Sequence, residues 1–168
     1  MVTWLIPITL ACLDQMTKSW VIHNLSPHQL ITLCPYIQLT HSLNQGVTLG
    51  LFPAHTPLQH YSLITLTLIL LGSLLWHYQK LAQSTHIQKM AVILVLLGGT
   101  SNLIDRLMYQ SVIDYIILHL NSWYWPGIFN IADVSITVGS ILYILTSSRS
   151  PRTIPTRITP SDSHQTSS

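Results

Sequence analysis

Four apolar stretches, each about 20 residues long, constrain what this 168-residue chain can fold into. About 20 consecutive apolar residues in a helix span the roughly 30 Å hydrocarbon core of a bilayer. The stretches run over residues 2–22, 58–78, 87–107 and 129–146. The second contains LITLTLILLGSLLW (Leu63 to Trp76), without a single charge. Only 7% of the chain is charged, against about 25% in a soluble domain. The expected fold is an all-α membrane protein of four transmembrane helices.

Between the first two stretches, residues 24–57 hold prolines and the β-favouring runs LITL and YIQLTHSL. They predict a small β-rich subdomain lying on the bilayer outside the cytoplasm. Residues 108–128 read as a second external connection, in which WYWPGIF supplies the aromatic belt of a membrane interface. Together, residues 1–146 form one membrane-embedded domain. Residues 147–168, rich in Ser, Thr and Pro with no apolar period, predict a disordered tail.

Lysine and arginine set the orientation. None occurs in residues 24–57, Lys80 and Lys89 flank the connection 79–89, and Arg149, Arg152 and Arg157 cluster in the tail. The positive-inside rule therefore assigns that connection and both termini to the cytoplasm. A net charge of +2 is too small to suggest a nucleic-acid partner.

Carboxylates are scarce: there is no glutamate, and four of the five aspartates (Asp14, Asp105, Asp114 and Asp133) lie in or beside apolar stretches. With the helices alternating in direction, all four gather near the outer membrane surface. Such acids are costly in a membrane and mark function or pairing. Asp14 and Lys18, four residues apart, share a helix face, as do Asn102 with Asp105 and Asn130 with Asp133. Arg106 is placed to hold a carboxylate and fix the end of the third helix. Two aspartates close together share one proton, and such a pair can activate a water against a carbonyl.

Other chemistries have less support. The nine histidines are scattered without an HExxH pattern, Cys12 and Cys34 fit no metal-ligand spacing, and GxSxG is absent. No metal and no cofactor is expected. Gly98 and Gly99 suit close helix packing. A proton- or ion-coupled transporter and a non-catalytic scaffold are the alternatives. A transporter would favour a midplane site and repeated halves, and a scaffold leaves Asp114 without an evident partner.

The motifs DQMTK (Asp14 to Lys18), NQGVTLG (Asn44 to Gly50), GGTSNLIDR (Gly98 to Arg106), VIDYI (Val112 to Ile116) and FNIAD (Phe129 to Asp133) occur in that order. From Leu13 to Leu145 the chain resembles the bacterial lipoprotein signal peptidases, or type II signal peptidases. The resemblance implies an aspartic endopeptidase of the cytoplasmic (inner) membrane that cleaves diacylglyceryl-modified prolipoproteins before the lipidated cysteine. It implies Asp114 and Asp133 as the catalytic pair, with Asp14, Lys18, Asn44, Gly46, Asn102, Asp105, Arg106 and Asn130 binding substrate or supporting the site. Membrane lipids are the expected surroundings and a monomer the expected state. Val47, Thr48 and Leu49 depart from the small and aromatic residues that usually follow Asn-x-Gly in that family.

Tags placed in the 79–89 connection and at the C-terminus are expected to be accessible only from the cytoplasm. Labelling of either in intact cells by an impermeant reagent would overturn this orientation.

Overall fold

The computed structural model describes residues 2–46, 56–82 and 84–147. Four helices, α1 (Val2–Asn24), α2 (Pro57–Lys80), α3 (His86–Tyr109) and α4 (Ile131–Ser147), accompany strands β1 (Leu30–Cys34), β2 (Ile37–Asn44), β3 (Val112–Leu120) and β4 (Trp123–Tyr124). The Val47–Thr48–Leu49 departure and the tail from residue 148 onward lie outside the described residues.

Local chemistry sets the helix boundaries. Thr56 and Thr85 each begin a helix with a capping box, the threonine side chain accepting from the backbone of Gln59 or Gln88 while that glutamine side chain accepts from the threonine N–H. Pro57 occupies the first position of α2, where a missing N–H costs nothing. Gln110 ends α3 in the left-handed conformation (φ 56°), so the chain turns directly into β3.

The expected helices thus appear within a few residues of their anticipated limits. Among the described residues, α2 and α3 are long and apolar enough by themselves to cross a membrane. Helix α4 is apolar but has 17 residues, about 26 Å at 1.5 Å per residue. Helix α1 has the length but includes Asp14 and Lys18. Leu5, Ile6, Met16, Leu68, Ile69 and Ile144 stand exposed. Large apolar side chains turned outward around several helices are what lipid, not water, solvates.

The sheet is antiparallel throughout, in the order β1-β2-β3-β4. Residues 108–128, expected only as a connection, contain β3, one of its two inner strands, and the edge strand β4. Val21 and Leu25 at the end of α1 pack with Ile113 and Tyr115 of β3 in a buried cluster. This cluster docks the sheet where α1 and α3 end and α4 begins.

Helix α3 is the hub, packed against α1, α2 and α4. Its contact with α4 is close because of two glycines. A Cβ on Gly98 would lie 2.7 Å from the Ala132 carbonyl oxygen, and one on Gly139 2.7 Å from that of Ala91. Gly99 faces only the flexible Leu71 side chain of α2, 2.9 Å from its Cδ2. Close packing was the role expected for this glycine pair, and the backbone-to-backbone part of it falls on Gly98.

Gly98→Ala is therefore expected to destabilise the fold by about 1–3 kcal/mol, the usual cost of overpacking. Gly99→Ala is expected to be neutral or slightly stabilising, since alanine favours helix. Thermal unfolding in one detergent checks the contrast, and equal effects would contradict it.

Candidate active site

The buried polar residues of α1 and α3 meet around one ammonium group. Lys18 Nζ lies 2.6 Å from Asp14 Oδ2 and 2.7 Å from Asp105 Oδ2, and donates to Asn102 Oδ1 at 2.9 Å. All three N–H groups are used, and Lys18, Asp14 and Asp105 are 2%, 0% and 1% exposed. A buried charge persists only when paired and hydrogen-bonded. Two carboxylates face one ammonium here, so neutral donors meet the surplus negative charge. Ser101 Oγ donates to Asp14 (2.7 Å), Gln15 Nε2 to Asp105 (3.0 Å), and the Tyr115 hydroxyl to Asp14 (3.2 Å).

Asp105 thus pairs with Lys18, and Arg106 does not hold it. Neighbouring residues on a helix point about 100° apart, so Asp105 faces α1 while Arg106 faces another way. Arg106 donates to the carbonyl of Gly46 at 3.3 Å and lies in the field of Asp133, Asp114 and Asp105. Asn44 Oδ1 accepts from Gly46 N at 2.9 Å, which folds the end of β2 toward the site.

The start of α4 rests on the same residues. Its first three N–H groups have no partner within the helix. Ile131 N donates to the Tyr115 hydroxyl (3.2 Å), Ala132 N to Asp14 Oδ1 (3.0 Å) and Asp133 N to Asn130 Oδ1 (2.8 Å). Asn130 was expected on the face of a helix beginning at residue 129; it sits just before α4 and caps it. Both carboxylates, of Asp14 and Asp133, profit from the positive end of the helix dipole.

Two asparagines then link two more carboxylates. Asn130 Nδ2 donates to Asp114 Oδ1 (2.7 Å) and Asn102 Oδ1 (3.2 Å), while Asn102 Nδ2 donates to Asp133 Oδ1 (2.8 Å). Asn44 Nδ2 adds a bond to Asp114 Oδ2 at 2.9 Å. Asp114 and Asp133 are thereby held at either end of a two-amide bridge. Among the described residues neither makes an ion pair; the pairs present are those of Lys18 with Asp14 and Asp105. Burial pushes the Asp114 carboxyl up to about 7, helped by the nearby charge of Asp133 and opposed by Asn44, Lys18 and Asn130.

Every sequence-derived site residue therefore converges in one cluster: Asp14 and Lys18 from α1, Asn44 and Gly46 at the end of β2, Asn102, Asp105 and Arg106 from α3, Asp114 from β3, and Asn130 with Asp133 at the start of α4. Gln15, Ser101 and Tyr115 belong to it too. They lie inside DQMTK, GGTSNLIDR and VIDYI but were assigned no role from sequence.

A profile of the family described as signal peptidase (SPase) II matches residues 6–149. The chain belongs to the signal peptidase II family. It is 35% identical over 133 residues to the lipoprotein signal peptidase of Bartonella henselae, covering 79% of this chain and 80% of that one. It is 36% identical to that of Thermodesulfovibrio yellowstonii, covering 79% and 84%. Among solved structures it is similar to a bacterial membrane enzyme solved by the in meso method at 1.9 Å, with a TM-score of 0.77 and 27% identity over 89% of this chain and 94% of the other. Another such structure at 2.3 Å gives a TM-score of 0.75 and 25% identity over 91% and 94%. This member of the signal peptidase II family is accordingly a membrane peptidase that removes signal peptides from lipoprotein precursors.

Within it, Lys18→Met keeps the length of the side chain but leaves Asp14 and Asp105 facing each other unpaired. Uncompensated buried charge costs about 3–5 kcal/mol, so the variant is expected to melt far below the native chain or fail to accumulate. A melting temperature equal to native would show that the ammonium does not organise the helices.

Proposed function

We propose that this chain cleaves diacylglyceryl-modified prolipoproteins immediately before the lipidated cysteine, with Asp114 and Asp133 sharing one proton and activating a water. The observation that carries the reading is the amide bridge from Asp114 through Asn130 and Asn102 to Asp133. It holds two carboxylates at one buried place where, among the described residues, neither makes an ion pair, and there a shared proton is cheaper than two charges.

The ionised carboxylate takes a proton from water as the water oxygen bonds to the scissile carbonyl carbon, and the protonated partner gives its proton to the carbonyl oxygen. Breaking the C–N bond returns a proton to the leaving amine. The titration belongs to the pair. Asn44, Gly46 and Arg106 border Asp114 and Asp133, a position suited to grip the peptide. The acyl chains remain in the outer leaflet, each buried CH2 contributing about 0.8 kcal/mol to retention. This reading places the sheet and the aspartates at the outer surface of the inner membrane, all four helices across the bilayer and both termini in the cytoplasm.

Asp114→Asn and Asp133→Asn are each expected to lower cleavage of a lipidated precursor by at least about 10²-fold, the low end of what a general acid or base contributes. Both proteins should accumulate as the native chain does. Near-native cleavage by either would refute the pair. Asp114 also dictates a pH dependence. Its carboxyl normally titrates at 3.8 and here near 7, so between those values the folded chain keeps a proton that the unfolded chain has released. The stabilisation from this group is therefore present at low pH and is lost as pH rises through that window. Cleavage should fall above about pH 7 as the shared proton leaves; a rate still rising well beyond it would count against the mechanism.

A further inference from the structure

We infer that Tyr115 is a positioning residue for the two aspartates, setting the approach of Asp133 to Asp114 by tying the first turn of α4 to β3. The inference rests on the peptidase reading and adds to it a residue outside the carboxylate pair.

Tyr115 directly follows Asp114 in β3, and its side chain is 1% exposed. The phenol reaches a junction of three elements. Its hydroxyl donates to Asp14 Oδ1 of α1 at 3.2 Å and accepts from Ile131 N, the first N–H of α4, at 3.2 Å. Ile131 is two residues before Asp133. The backbone joins the same segments once already: Tyr115 N and Ile116 N donate to the Phe129 carbonyl at 3.1 and 2.8 Å, and Phe129 N donates to Ile116 O at 3.1 Å.

That ladder fixes the chain up to Phe129. It does not fix how α4 leaves Asn130. A second tie at Ile131 seats that first turn against β3, while the body of α4 is held along α3 at Gly98 and Gly139. Asp14 completes it, accepting from both the phenol and Ala132 N on one oxygen, Oδ1. Thus the first two N–H groups of α4 point at partners on β3 and α1, and Asp133 follows in the same turn. Packing does not require the hydroxyl: the ring is held by Val21, Leu25 and Ile113, contacts that phenylalanine would keep.

Tyr115→Phe in the full chain, assayed in lipid bilayers on a diacylglyceryl precursor, should lower kcat by tenfold or more and leave KM within about twofold, a pattern that reports lost transition-state positioning. The pH limbs of kcat should also move by about half a unit, because the spacing of two coupled acids sets their apparent titrations. The charged groups facing the pair, Lys18, Arg106, Asp14 and Asp105, are unchanged in this variant.

A purely structural hydroxyl would lower activity only in proportion to the folded fraction, with native pH limbs, and that result would overturn the inference. Ile131→Pro gives an independent check, since proline is accepted at the first helical position and deletes the N–H that the phenol accepts. It should shift the same limbs, and adding Tyr115→Phe to it should cost less than threefold more; native limbs, or an undiminished second loss, would refute the tie. If the native chain itself fails to cleave the precursor, the peptidase reading fails instead, so the two failures are distinguishable.

Discussion

The architecture of the polar interior depends on the Lys18 ammonium. Taking a lysine and two aspartates out of water is costly, and only complete use of their hydrogen-bonding capacity offsets it. Lys18 meets that condition with three acceptors on two helices. One of them, Asn102, passes the order on, since the amide that accepts from Lys18 donates to Asp133. The ion cluster is consequently both the fastener of α1 to α3 and the floor beneath the aspartate pair.

Asparagine recurs above that floor for a chemical reason. Asn130 caps α4 with its oxygen and donates to Asp114 with its nitrogen. An aspartate there would cap as well but would add a third charge, while serine or threonine would cap without spanning both partners. Asn102 has the same two-sided use. The site thus orients two acids through neutral groups, while Lys18 and Arg106 act on them by charge without a direct ion pair among the described residues.

Much of this was legible in the sequence. Apolar length gave the helices, and LITL and YIQLTHSL became β1 and β2. Strand β3 was missed because VIDYIILHL lacks the alternation of a half-buried strand; its first four residues are covered on both faces. The remaining signal was its richness in Ile, Val and Tyr. The separation of Asp105 from Arg106 follows from helix geometry and was available in advance. The Asn-x-x-Asp spacing at Asn130 is read for a helix face where it marks a helix start, and the Thr-x-x-Gln spacings at Thr56 and Thr85 carry the same start signal, to which no role is given from sequence. Tyr115 offered no such clue: its partners are 101 and 16 residues away in the chain.

Helix α2 buries none of its residues. It leans on α3 through contacts such as Leu71 against Gly99, and most of its surface must be wetted by acyl chains. No water-driven collapse holds such a helix in place, because lipid tails are as apolar as its own leucines. Its seat is therefore partly a property of the solvent: whichever amphiphile surrounds the protein becomes the missing wall of this helix, and exchanging that amphiphile alters the enzyme's outline without touching a covalent bond.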